Sequence, residues 1–285
     1  MVASDARASL RRPWPLQLKA GSIILAAIIA MAAFAPWIAP HPWDTVSVRT
    51  RFLPPNATYW LGTDDYGRDV LSRLMMGARL SLAMGFGATL FSLVIGVPVG
   101  LVAGYMRGWL DELLMRAADV LMAIPAIMLA LLLLAVTEPA LWKTMLAVGF
   151  VYIPLIARVA RSVTLTLASE DFIAAARARG EGTPYILLRE ILPNAWPPLI
   201  VEASLRVVYA ILLASALSFL GLGAQPPSSD WGLMIAEARP FIDRAPWIAL
   251  APGCVMCLLV VGINLIGDGL RERLDPRLQR QLPGG

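Results

Sequence analysis

Apolar residues run through this chain in long unbroken stretches, without the alternating or three-and-four spacing of a half-buried strand or helix. Six stretches approach the roughly 20 residues that cross a bilayer core as a helix. They cover about 21–39, 81–103, 117–136, 144–162, 198–220 and 247–267. The pattern predicts an all-α polytopic membrane protein with six transmembrane helices. Pro98, Pro125 and Pro154 fall inside three of these stretches. Each removes a helical hydrogen bond and favours a kink, which suits helices around a passage that changes shape and equally suits static packing. Between stretches, 104–116 and 137–143 are short, whereas 41–78, 163–197 and 221–246 are long.

Composition agrees with this class. Of 285 residues, 58% are apolar and 15% charged, with mean hydropathy +0.67, where soluble domains are about half apolar and about a quarter charged. All nine Trp residues lie near stretch ends or in connections, the headgroup preference of indole. With the N-terminus inside, the inner segments carry Arg7, Arg11, Arg12, Lys19, Arg107, Arg116, Arg158, Arg161, Arg177, Arg179, Arg189, Arg271, Arg273, Arg277 and Arg280. The outer segments carry Arg49, Arg51, Arg68, Arg73, Arg79, Lys143, Arg239 and Arg244. This bias predicts both termini inside. It also accounts for the basic pI without a nucleic-acid partner. The first stretch has a basic lead and an Ala33-Phe34-Ala35 sequence like a cleavage site, but Pro36 follows directly. A retained span is expected there.

The chain carries little chemistry of its own. A phosphate-binding loop needs Gly-rich backbone before Lys and Ser or Thr, and neither Lys19 nor Lys143 follows a glycine. ATP hydrolysis, if used, belongs to another chain. His41, in Pro-His-Pro, has no companion soft ligands and reads as interfacial. Cys254 and Cys257 share a helix face, with helix packing favoured over metal or redox chemistry. Asn56-Ala57-Thr58 matches a glycosylation sequon by chance. Asp119, Glu202, Arg206 and Asp268 are the ionisable residues in or at the spans, where charge is costly. Glu202 and Arg206 stand four residues apart and can neutralise each other near the inner surface; Asp119 has Arg116 three residues before it.

The inner connection contains the segment DFIAAARARGEGTPYILLREILPN, residues 171–194. Ser169 is a candidate N-cap, with Glu170 and Asp171 in the first turn. Phe172 to Arg179 reads as a short helix, smooth at Ala174, Ala175 and Ala176 and stopped by Gly180. Thr183-Pro184 starts a second helix with Leu187, Leu188, Ile191 and Leu192 on its apolar face, and Pro193 is expected to end it. Such an ordered hairpin is suited to touch a partner. The alternative, a segment lying on lipid, would bury little apolar area through the alanines.

This segment resembles the cytoplasmic EAA loop of permease subunits in bacterial ABC importers, whose pattern is Glu-Ala-Ala, three residues, Gly, then Ile-x-Leu-Pro. Ala175, Ala176, Gly180 and Ile191-Leu192-Pro193 match, whereas Ala174 stands in place of the Glu. The run from Leu61 through Gly62, Thr63, Asp64, Gly67, Arg68 and Asp69 to Arg73 resembles the G-T-D-x-x-G-R-D segment of the second permease of dipeptide, oligopeptide and nickel importers. Leu217 to Gly223 with Trp231-Gly232, and Asn264 to Arg271 with Leu274-Asp275-Pro276-Arg277, fit the same subgroup.

The resemblance implies a type I ABC importer permease. Residues 1–78 would hold an inner segment, the first helix and an external loop. Residues 79–285 would form a five-helix permease core, with a coupling loop at about 165–195 and an inner tail. Its partners would be a second homologous permease, two cytoplasmic ATPases that use ATP and magnesium, and an external solute-binding protein, in the bacterial inner membrane. No cofactor or metal is expected on this chain. The resemblance assigns ATPase coupling to Phe172, Ala174, Ala175, Ala176, Arg177, Arg179, Gly180, Ile191, Leu192 and Pro193. The Gly62 to Asp69 motif would be structural, capping a short interfacial helix to about Gly77 with Arg68 and Asp69 as charge partners, or would serve docking. The implied cargo is short peptides, with nickel or another small solute as alternative. A stand-alone secondary carrier would be expected to show inverted repeats and deeper carboxylates.

Overall fold

The computed structural model describes residues 15–136 and 138–274. Arg7, Arg11, Arg12, Trp14, Asp275, Pro276, Arg277 and Arg280 lie outside these residues. The described chain is helical, with an isolated antiparallel bridge between Thr63 and Asp69. In order the helices are α1 (Leu16–Ile38), α2 (Val70–Met106), α3 (Gly108–Ala123), α4 (Ala126–Leu134), α5 (Leu141–Leu167), α6 (Asp171–Ala178), α7 (Thr183–Phe219), α8 (Trp231–Ala238) and α9 (Trp247–Leu274). By length and apolarity α1, α2, α5, α7 and α9 can each cross a membrane, and α3 with α4 makes a sixth span if counted together.

The packing of α2 decides the status of α3–α4. Its glycines meet α5 in the same order along both helices. Gly87 faces Met145, Gly96 faces Ile156, Gly100 faces Ala157 and Ala160, and Gly104 faces Arg161 and Thr164. The two helices therefore run parallel. Parallel helices require the chain between them to return the full length of the bundle, and α3–α4 makes that return. The span expected at 117–136 is thus a broken one, bent by 90° between Ala123 and Ala126. Pro125 disfavours helical backbone at Ile124, which is extended at φ −89°, ψ 128°. Pro98 and Pro154, by contrast, lie within continuous helices. The expected connection at 104–116 is almost absent, because Arg107 and Gly108 turn the chain with positive φ.

α1 and α9 pack antiparallel, with Gly21 against Gly262 and Leu18 against Gly269. Alternation then brings the start of α1 and the end of α9 to the end of the bundle that carries α6. The opposite end holds the 39–69 loop and α8.

α2 corrects the expected boundary most. A separate short helix to Gly77 followed by a span at 81–103 is replaced by one helix of 37 residues, about 55 Å long. Asp69 caps it by accepting from the Ser72 N–H. The break expected at Gly77 does not occur. Gly77 instead admits the Ser229 carbonyl, which would lie 2.0 Å from an added Cβ. The division at residues 78 and 79 falls inside this helix.

Trp231 also departs from the interfacial expectation. It is fully buried at the start of α8 and donates its indole N–H to the Leu74 carbonyl at 3.0 Å. Cys254 and Cys257 are exposed rather than packed between helices of this chain. They line an apolar groove of about 660 Å³ on α9 with Leu250 and Gly253.

Small residues let two backbones approach in a bilayer, where dispersion replaces the hydrophobic drive. An added Cβ at Gly100 would lie 2.3 Å from the Ala157 carbonyl oxygen, whereas at Gly253 it meets nothing within 4 Å. Gly100→Leu is expected to cost about 1–3 kcal/mol through overpacking, lowering the apparent Tm of detergent-solubilised protein in scanning fluorimetry. Gly253→Leu is expected to leave it unchanged.

Candidate functional site

The hairpin end is built on one apolar cluster that joins it to the bundle. Ile173 and Ala176 of α6 are completely buried, as is Ile191 on α7. They pack with Val97 and Leu101 of α2 and Ile156 and Ala160 of α5, with Phe172 and Leu192 partly buried at the margin. The α2–α5 seam therefore continues into α6.

The backbone of α6 ends as its local sequence requires. Gly180, at φ +80°, donates to the Arg177 carbonyl at 2.9 Å, and the Glu181 N–H reaches Ala176 at 3.2 Å. This is a Schellman stop. The start differs from expectation. Glu170 is the N-cap residue and makes no side-chain cap, while Ser169 donates back to the Thr166 carbonyl. Gly182, not Thr183, precedes the next helix, and Pro184 sits within its first turn. Nor does Pro193 end that helix. α7 runs from Thr183 to Phe219 and contains a π-helical turn at Ile186–Ile191. Pro193 offers no N–H to the preceding turn, and the chain widens just before it. Leu188, expected on the apolar face, points outward and is 59% exposed.

Ala174 and Ala175 are exposed and form a smooth face on α6. Arg177 and Arg179 flank it. Arg177 donates to the Tyr105 hydroxyl at 3.2 Å with its guanidinium over that ring, and Arg179 pairs with Glu190 at 3.1 Å. Beside them Arg161 grips Asp111 through two nitrogens. The surface thus has a fixed backbone, small side chains at its centre and cations at its rim.

The opposite end is closed by buried charge. Asp64, with no exposed surface, accepts the backbone N–H groups of Tyr66 and Arg68 at 2.9 Å on one oxygen. Its other oxygen takes Arg68 Nε at 2.6 Å and Arg73 Nη1 at 2.7 Å. Glu237 of α8 completes the set, 3.1 Å from Arg68 and 2.7 Å from Arg73. Asp65 stands further off, 3.9 Å from Arg68, so two cations meet three carboxylates, and the charge-assisted bonds from Asp64 and Glu237 supply the condition under which buried ions are tolerated. The expected Arg68–Asp69 pair does not form. Asp69 instead caps α2 and faces His41 Nδ1 at 3.5 Å. Thr63 accepts from the Leu53 N–H, and its carbonyl accepts the Trp247 indole N–H. Gly62 and Gly67 both have positive φ, and at Gly67 a Cβ would fall 2.0 Å from the Ser47 carbonyl. Thr63, Asp64, Arg68 and Asp69 are all buried, so their side chains hold loop, α2 and α8 together.

Further ion pairs lie along the spans, among them Asp268 with Arg271 on α9 at 3.9 Å. Asp119 pairs with Arg158, not with Arg116, which turns to Glu112. Glu202 and Arg206 pair as their spacing predicts, at 2.6 Å. They sit near the middle of α7 rather than near its hairpin end.

Comparison with known proteins fits this architecture. Residues 96–280 match the family described as binding-protein-dependent transport system inner membrane component, and residues 19–55 match the N-terminal transmembrane domain of oligopeptide transport permease C. The chain belongs to the binding-protein-dependent inner membrane permease family. It is a permease subunit of an ATP-binding-cassette importer and a multi-pass membrane protein. It is 43% identical to the dipeptide transport system permease protein DppC of Alkalihalophilus pseudofirmus, over 91% of this chain and 85% of that one. Identity is 42% with the di/tripeptide permease DppC of Pseudomonas aeruginosa, over 91% and 88%. With the glutathione permease GsiD of Pectobacterium atrosepticum it is 39%, over 95% and 93%. In fold the permease is similar to a chain of the inward-facing MetNI methionine ABC transporter, with TM-score 0.60 and 22% identity over 71% of this chain and 96% of that one.

The buried charge cluster around Asp64, the permease's latch, carries its own pH dependence. Burial pushes the Asp65 carboxyl above its ordinary 3.8, with Asp64 and Glu237 adding repulsion and Arg68 opposing them. The folded state therefore holds this proton more firmly than the unfolded state, and stability falls as pH rises through the window above 3.8. Asp65→Asn removes this slope, so its Tm relative to wild type is expected to be higher at about pH 7 than at about pH 4. Asp64→Asn leaves buried Arg73 with Glu237 alone and Arg68 with Glu237 and the more distant Asp65, and is expected to cost about 3–5 kcal/mol, measured as a fall in Tm and in membrane-inserted protein.

Proposed function

We propose that this permease imports short peptides, and that α6 with the start of α7 is the surface through which ATP hydrolysis on a partner chain drives it. A second homologous permease would complete the passage. Two cytoplasmic ATPases, using ATP and magnesium, would receive the α6 surfaces, and an external solute-binding protein would deliver cargo at the latch end. Both termini are then cytoplasmic. The peptide assignment is supported by the relatives named for dipeptide and di/tripeptide transport.

The observation that carries the coupling role is the two-sided character of α6. Its inner side, Ile173 and Ala176, is locked into the α2–α5–α7 cluster, while Ala174 and Ala175 face outward. A push on the outer side is therefore transmitted to three spans instead of being absorbed by a loose loop. Coupling requires contacts that differ between two states of the complex. Ala174, in place of an acidic residue, leaves the contact to packing and to the cations Arg177 and Arg179.

Gly180→Pro is incompatible with φ +80° and removes the bond to Arg177. Ala175→Glu places bulk and charge on the docking face. Both variants are expected to insert normally yet lose uptake in proteoliposomes roughly tenfold or more, the scale of a coupling free energy of about 1–3 kcal/mol. Cargo-stimulated ATPase activity is expected to fall with it. Wild-type uptake and stimulation in both variants would sink the coupling role.

A further inference from the structure

Arg206 is held in an unusual setting for a charge on a spanning helix. Its Nε donates to Glu202 at 2.6 Å. Its guanidinium carbon lies 5.6 Å from the ring centroid of Tyr152, on α5, and 5.3 Å from that of Tyr209, one turn further along α7. The Tyr152 hydroxyl donates to the Tyr209 carbonyl at 3.2 Å and ties the two helices together at this point. Among the described residues, neither terminal nitrogen of Arg206 nor the second oxygen of Glu202 has a hydrogen-bond partner. The fork is thus oriented from its Nε edge and by two rings, with its binding end unused.

This site opens outward from the chain's own packing. Tyr209 is half exposed, and the Glu202 and Arg206 side chains each retain 15% of their surface. An ionised pair on a spanning helix is costly against hydrocarbon and is expected to face water or another protein chain. In a transporter built from two permeases, that space is the passage. A helix needing only internal neutralisation is served by the ion pair alone and has no use for two aromatic supports from two helices.

The chemistry selects a ligand class. We propose that Glu202, Arg206 and Tyr209, with buried Tyr152 supporting the guanidinium from behind, form a transient contact for the two free termini of a short peptide in transit. This inference rests on the peptide-import reading. The peptide carboxylate takes the free Nη1 and Nη2 of Arg206 in the bidentate geometry that guanidinium favours. The peptide ammonium takes the free Glu202 oxygen and the exposed face of Tyr209. A neutral ion pair meeting a zwitterion forms a balanced set of four charges. Only termini are read, so different side chains pass alike. Because Glu202 and Arg206 already neutralise each other, the contact is weak, as release toward the interior requires.

The test uses the full complex of two permeases and two ATPases in nanodiscs without the binding protein, and measures saturation-transfer NMR binding of glycyl-leucine, its N-acetyl derivative and its C-terminal amide. Wild type is expected to bind glycyl-leucine about tenfold more tightly than either blocked form, the scale of one charge-assisted contact. Arg206→Gln is expected to abolish discrimination against the amide while keeping discrimination against the acetyl form. Glu202→Gln is expected to do the reverse, and Tyr209→Leu to weaken all three. Arg206→Lys, which keeps the charge without the fork, supplies a milder variant should the first not fold. Absence of wild-type binding, or folded variants with wild-type preferences, overturns the proposal and leaves a structural pair. Binding-protein-dependent uptake of labelled glycyl-leucine by wild-type proteoliposomes separates the two levels. Its absence overturns peptide import itself, whereas uptake with unaltered preferences overturns this contact alone.

Discussion

The close approach of α2 to α5 is the contact on which the rest of the molecule depends. Gly96, Gly100 and Gly104 recur every four residues on one face of α2, and each leaves no room for a Cβ against α5. In a bilayer the association of helices comes from dispersion and close backbone contact, not from exclusion of water. A run of small residues is therefore what makes one pairing better than its competitors. This pairing is parallel, and parallelism has a topological consequence. The 34 or so residues between the two helices have to cross the bundle, which they do as the bent α3–α4 pair.

The same seam connects the two ends of the protein. α2 starts in the buried network of Asp64, Arg68, Arg73 and Glu237 and finishes beside the cluster that seats α6. A continuous helix is stiff along its axis, so displacement at one end is carried to the other. At the latch end the connection is electrostatic, with Arg68 and Arg73 bridging the carboxylates of Asp64 and Glu237. At the hairpin end it is apolar and leaves the outer face of α6 free. Charge holds the distal end closed upon itself, while the hairpin end presents a surface for another chain. Midway, the Glu202–Arg206 pair lies on the helix that leaves this hairpin.

Local features were legible in the sequence because their causes are local. Gly180 ends α6 through backbone conformation alone, and Glu202 meets Arg206 because four residues make one turn. Apolar length marked α1, α5 and α9 well, and only the far part of α7. Apart from the helix caps at Ser169 and Thr183, the misread contacts have distant causes. Gly77 looks like a helix stop until Ser229 is seen to occupy its missing side chain. Arg68 finds Asp64 and Glu237 instead of the adjacent Asp69, and Asp119 finds Arg158 on another helix. Trp231 looks like an interfacial residue until Leu74 supplies its acceptor. Proline could not be read from its identity alone: Pro125 breaks a span, whereas Pro98, Pro154 and Pro193 do not.

By itself the sequence determined that this is a polytopic helical membrane protein with an ordered hairpin between two spans, because apolar length and the conformational limits of glycine act residue by residue. Only the tertiary structure decided that α2 and α5 run parallel, that α3–α4 crosses as a broken span, and that the hairpin's second arm is the start of a spanning helix. Those outcomes depend on which surfaces meet. In a bilayer, where apolar faces are nearly interchangeable, that choice rests on small residues and buried charges whose partners lie far away in the chain.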